Sequence, residues 1–234
     1  MSAYYITAGQ NGAILASDTL NVVAEDSTPA VFGHKTFTVP HLNMMVAVSG
    51  FGALMPEWYA QLKFNCTKND IASLHEVTPE ILREAYGRFK LTYNPTTDPP
   101  GPGGTKVYHV GYSQREDEYV AYGYYSGNDF EGEKILGAET SVDYAQPIGP
   151  EIRDAFRKDQ GPIERIVDYF KKVHEVDQQK PAGERIAVGG EVWMHTLVEG
   201  QIDTRRIHVY DDYEETAAAI AKNDWNPAQS TKRV

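Results

Sequence analysis

One dipeptide near the start of the chain, Asn11-Gly12, constrains the fold more than any other feature. It lies between Ala3-Tyr4-Tyr5-Ile6-Thr7-Ala8 and Ala13-Ile14-Leu15-Ala16, two β-rich apolar runs. Asn and Gly both tolerate positive φ, so the pair predicts a tight antiparallel hairpin. A second hairpin is predicted from Lys35-Thr36-Phe37-Thr38-Val39, a turn at Pro40-His41, and Met44-Met45-Val46-Ala47-Val48, ending at Ser49-Gly50. The first strand thus carries residue 2, the second ends at Asp18, the third starts at Lys35 and the fourth ends at Gly50. Such an order can bring an amine, a carboxylate, an ammonium and a backbone N–H to one end of a sheet.

The remaining chain alternates paired helices with further strands. Leu54, Trp58 and Leu62 recur at i, i+4 and i+8 on one helical face, with Pro56 in the first turn. Thr78-Pro79 is read as N-cap and first residue of a second helix, whose apolar face is Ile81, Leu82, Ala85, Phe89 and Leu91. The stretch 94–104 holds four prolines and three glycines and is read as a surface loop. Strands are predicted at Lys106–Ser113 and Glu118–Tyr125, joined through Arg115-Glu116-Asp117, with a tyrosine-rich face suited to a core or a subunit contact. Helical patterns return at Glu151–Lys158 and Pro162–His174. A last hairpin spans Ile186–Leu197 and Ile202–Tyr210, and Glu214–Ala221 follows as a short helix. Strands, two helices, strands, two helices, strands is an α+β order with antiparallel sheets.

Composition sets outer limits. The 234 residues and 41% apolar content fit one large domain over 1–222, followed by a polar tail at 223–234. A net charge of −11 argues against nucleic acid or an anionic membrane as partner. Cys66 is the only cysteine, so no intrachain disulfide and no cysteine-based metal cluster is expected. The seven histidines lack ligand spacing on one helix, so neither a metal nor another cofactor is expected. No apolar run reaches the roughly 18 residues of a membrane span, and no basic-then-apolar leader opens the chain, which makes a cytoplasmic protein the expectation.

The opening fifty residues resemble the proteasome β-subunit family, including its bacterial proteasome-like members. Aligned without a gap, Ser2 falls on the N-terminal threonine of that family, Gly12 on the glycine of its first turn, and Ala16-Ser17-Asp18-Thr19 on its Ala-x-Asp strand end. Lys35 falls on its buried lysine after a one-residue insertion, and Val48-Ser49-Gly50 on its glycine-rich oxyanion turn. The likeness is specific over roughly the first 55 residues and rests on element order beyond them. It implies a four-layer αββα sandwich of two antiparallel sheets, the N-terminal nucleophile hydrolase fold, assembled as a homo-oligomeric ring or stacked ring.

What the resemblance implies for chemistry can be stated residue by residue. Ser2, freed by loss of Met1, would be the nucleophile, and its own α-amine the base. With a reference pKa near 7.7–8.0, that amine is partly free base at neutrality and can take the hydroxyl proton. Lys35 would tune amine and alkoxide by its charge, Asp18 would partner Lys35, and Gly50, or Ser49 one position earlier, would supply the oxyanion N–H. Pocket walls would include Leu20, Val31, Met45 and Phe51, giving an apolar preference for a peptide or amide substrate. The family's late Asp-x-x-Ser-Gly-Gly stands here as Arg185-Ile186-Ala187-Val188-Gly189-Gly190, which keeps the glycines but neither polar support. That departure leaves open a second role, a non-catalytic proteasome-like protein that serves assembly.

Overall fold

The computed structural model describes residues 3–22, 28–52, 54–93, 104–135, 138–139, 161–181 and 185–222. The Asn-Gly hairpin forms as expected. Strands β1 (Tyr4–Gly9) and β2 (Gly12–Asp18) pair antiparallel from Tyr4 opposite Ser17 to Gly9 opposite Gly12. A short ribbon follows, β3 (Leu20–Val22) against β4 (Pro29–Phe32). The second hairpin is β5 (Thr36–Val39) with β6 (Met44–Ser49). Next come β7 (Lys106–Ser113), β8 (Glu118–Tyr125), β9 (Glu133–Ile135) and β10 (Ala138–Glu139), then β11 (Glu191–Val198) and β12 (Gln201–Val209). One five-stranded sheet runs β10-β1-β2-β11-β12 and the other β5-β6-β7-β8-β9, with antiparallel pairing throughout.

Among the described residues the α-helices are α1 (Leu54–Ala60), α2 (Ile71–His75), α3 (Thr78–Tyr93), α4 (Pro162–Gln178) and α5 (Tyr213–Lys222). Helix α1 runs on into a π-helical turn, Gln61–Asn65. Among the described residues three apolar cores separate the layers. Leu54, Trp58, Leu82 and Phe89 pack on Met44, Val46 and Val107 of the second sheet. Ile166, Tyr169, Phe170 and Val173 of α4 pack on Ala16, Val192 and Met194 of the first. Between the sheets lie Tyr4, Ile6, Leu15, Met45, Ala47 and Tyr108. Helix, sheet, sheet, helix is the four-layer α+β sandwich expected. Each large apolar side chain fully removed from water contributes about 1.5–3 kcal/mol, so every layer contact is worth several such groups.

Some local expectations are corrected. Helix α2 was not foreseen; Asp70 caps it by accepting the N–H groups of Ala72 at 2.9 Å and Ser73 at 3.4 Å. Thr78 does not act as the expected cap, because its hydroxyl donates back to the Leu74 carbonyl at 2.9 Å and ties α3 to α2. Leu91, assigned to the inner face of α3, is 87% exposed, since it lies off the stripe of Leu82, Ala85 and Phe89. Strand β7 is buried on both faces, lying between two cores. The last hairpin begins at Glu191 rather than Ile186. The expected helix Glu151–Lys158, the loop over 94–103 and the tail from 223 lie outside the described residues.

Candidate active site

Two polar groups meet where the sheets converge. Asp18 ends β2 and Lys35 precedes β5, and the ammonium donates to both carboxylate oxygens at 2.9 and 2.8 Å. The side chains are 0% and 3% exposed, so the pair is shielded from solvent. A buried ion pair persists only when further hydrogen bonds satisfy its lone pairs. Asp18 has them: it accepts the N–H of Ala3 at Oδ1 and that of Gly189 at Oδ2, both at 3.2 Å. Ala3 is the residue covalently joined to Ser2. Met1 and Ser2 themselves lie outside the described residues.

Chain geometry explains the meeting. The β1–β2 register sets Tyr4 opposite Ser17, so Ala3 arrives beside Asp18. The Lys35 carbonyl accepts the Val48 N–H at 3.0 Å, which brings the lysine to the same end of the second sheet as Ser49-Gly50. Tyr4 then bolts the sheets together, its hydroxyl donating to the Val48 carbonyl at 2.6 Å. Gly50 turns the chain with φ +87°, and a Cβ there would lie 2.8 Å from the Thr105 Cα. Both the left-handed backbone and this close approach require glycine. The Phe51 N–H donates to Thr105 Oγ1 at 3.4 Å, fixing the far side of the turn. Ser49 is buried on β6, opposite Lys106 of β7.

The four residues expected to line a pocket separate. Leu20 is buried beside Gly189, and Val31 is 39% exposed on β4. Phe51 leans on α3, with ring centroids 4.8 Å from Phe89 and 6.1 Å from Tyr86. Met45 is fully buried in the core between the sheets.

Sequence reasoning missed a polar seam along this junction. Residues 34, 35 and 36 each grip the first sheet. His34 packs edge-on against Trp193, whose indole N–H donates to Glu191 at 2.8 Å. Lys35 takes Asp18, and the Thr36 hydroxyl lies 2.7 Å from Nε2 of His195, whose Nδ1 is 2.8 Å from Thr204 Oγ1. Burial, helped by the nearby His34, pushes the His195 pKa down to about 4. A second interior ring, His109, accepts the Trp58 indole N–H at Nε2 and is pushed down to about 3, chiefly by burial. Both rings are therefore neutral in the fold, whereas in the unfolded chain each binds a proton near pH 6.5. Stability is unaffected above that pH and falls as pH drops from about 6.5 toward about 4, by about 1.4 kcal/mol per unit for each ring. Urea midpoints measured across this window, and in His109→Gln and His195→Gln, check the slope, which flattens as each ring is removed.

The late segment 185–190 supplies the third side of the site. Val188 is fully buried against α4, and Arg185 donates to the Gln178 and Lys180 carbonyls at the end of that helix. Neither reaches Asp18. Gly190 has φ +80° and lies so near Thr19 and Phe32 that a Cβ would overlap both. Among the described residues no group of three or more His, Cys, Asp or Glu could hold a metal ion, and no helix is long and apolar enough to cross a membrane.

No protein-family model matches the sequence. No curated protein matches it either. Solved structures do. A Gly-1 mutant of Anbu from Hyphomicrobium sp. strain MC1 superposes with a TM-score of 0.61 at 12% identity, over 100% of this chain and 99% of that one. Anbu from Yersinia bercovieri, described as an ancestral β-subunit, gives 0.57 at 12% identity, over 98% and 97%. The likeness spans nearly the whole of both chains, and the architecture described above is a proteasome-like fold.

Proposed function

We propose that this chain is a proteasome-like N-terminal nucleophile hydrolase that cleaves an amide or peptide bond, with Ser2 as nucleophile after removal of Met1. The observation that carries the reading is the buried Lys35–Asp18 pair, one carboxylate oxygen of which takes the N–H of the residue bonded to Ser2. In this reading the free α-amine takes the Ser2 hydroxyl proton as the oxygen attacks the substrate carbonyl carbon. The Lys35 ammonium disfavours a second positive charge on that amine and stabilises the developing alkoxide. The tetrahedral oxyanion is met by backbone N–H at Ser49-Gly50, and the proton passes to the leaving amine as the C–N bond breaks. Water then hydrolyses the ester and regenerates Ser2. Of the four residues expected to line a pocket, Phe51 follows the Gly50 turn and Leu20 lies beside Gly189, and a homo-oligomeric ring in a bacterial cytoplasm is the setting this reading carries.

One experiment tests it. Intact-mass analysis of purified protein is expected to show Met1 removed, and a peptide epoxyketone is expected to add to residue 2. Quantitative retention of Met1 sinks the assignment, because an acylated nitrogen is no base. A second reading, a non-catalytic subunit serving assembly, is favoured by Val188 and Arg185, an apolar and a basic residue that pack into the α4 core and cap α4. Absence of labelling in protein with a free Ser2 selects that reading.

A further inference from the structure

We propose that Asp177, at the end of α4, is a positioning residue that sets the Asp18–Lys35 pair through the segment 186–189. Its carboxylate is 1% exposed and accepts three successive backbone N–H groups, from Ile186 and Ala187 at 2.8 Å and from Val188 at 3.4 Å. Consecutive N–H groups converging in this way form a concave anion site, filled here by the chain's own side chain. One helical turn earlier, Nδ1 of His174 lies 2.7 Å from the Val188 carbonyl, so positions i and i+3 of α4 hold the same segment.

The segment could not lie there unaided. Residues 185–189 join no strand ladder, so their polar groups need other partners. Ala187 is held at φ +55° while nearly buried, a left-handed conformation that a residue with a Cβ disfavours. Its neighbours beyond are the ones that touch the candidate site. The Gly189 carbonyl accepts the N–H groups of Thr19 and Leu20 at 3.3 and 3.1 Å, and the Gly189 N–H donates to Asp18. Asp177 fixes 186–188, that fixes Gly189, and Gly189 orients the carboxylate that chelates Lys35. Arg185 closes the other side by capping α4, so helix end and segment are clasped as one unit.

Any consequence for catalysis rests on the reading of Ser2 as nucleophile; the placement of Lys35 does not. The test compares wild type, Asp177→Asn and Phe89→Leu, the last a core variant far from the segment that reports general destabilisation. Asp177→Asn keeps the volume and one acceptor oxygen, and it serves even if Asp177→Ala does not fold. Amide hydrogen exchange at residues 187–189 and the 15N signal of the Lys35 ammonium are read in each. The Asn variant is expected to lose about tenfold or more in exchange protection at 187–189, with a shifted Lys35 signal, while β2 is unchanged. Phe89→Leu is expected to leave the Lys35 signal in place. A folded Asp177→Asn protein with wild-type protection and a wild-type Lys35 signal overturns the proposal. Epoxyketone labelling, slowed about tenfold in the same variant, reads the catalytic consequence separately. Wild type that never labels counts against the hydrolase reading alone, and the Lys35 signal still decides the role of Asp177.

Discussion

Lys35→Met is expected to destabilise the fold by about 3–5 kcal/mol and to abolish labelling at residue 2. The substitution is close in length and leaves no large void, so the loss is electrostatic. Asp18 would keep the N–H groups of Ala3 and Gly189 but lose its only described charged partner, in a place with 0% exposure. An uncompensated carboxylate there is costly, and the outcome is read as a lower urea midpoint with an unchanged slope. Adding Asp18→Asn to Lys35→Met is expected to restore much of the stability but none of the labelling. That split separates the structural contribution of the pair from its chemistry, because the amide strands no charge and its single oxygen keeps one of the two backbone bonds, while no ammonium remains.

Trp58→Ala carries the second large effect, about 3–5 kcal/mol, from the outer core of the second sheet. Trp58 is fully buried, stacked on His109 with centroids 5.6 Å apart, and donates its indole N–H to that ring. The alanine leaves a cavity and strips His109 of its Nε2 donor, when Nδ1 already has no hydrogen-bond partner. Trp58→Phe keeps most of the volume and is expected to cost less. Besides the urea midpoint, the ring itself reports: burial is the main cause of its pKa near 3, so water entering the cavity raises that value. NMR titration of His109 in the two variants measures the rise, larger for alanine than for phenylalanine.

Much of this architecture was legible because periodicity and turn chemistry agreed. The Asn11-Gly12 turn, the i, i+4, i+8 stripe of Leu54, Trp58 and Leu62, and the hairpin limits at Lys106–Ser113 and Glu118–Tyr125 stand where the residues put them. Asp18 and Lys35 were legible as strand ends, and the structure joins them. Other features left weak signals or none. Helix α2 has five residues, too few to show a period, although Asp70 before Ile71 was a capping cue. Strands β9 and β10 have three and two residues. The run Met44–Val48 is apolar throughout because both its faces are buried, so nothing in it assigned Met45 to the inter-sheet core. The Thr36–His195 contact joins residues 159 apart, and Asp177 reaches its partners across a helix end. Both depend on tertiary proximity, which residue patterns do not encode.

Strand β7 bears on how this protein can change over time. Six consecutive residues, Lys106 to Gly111, are walled in above and below, so none offers a neutral site for drift. Variation across orthologues should therefore concentrate on the outward parts of α3, α5 and β12, where side chains meet water. The middle strands of the second sheet should accept only swaps that conserve shape.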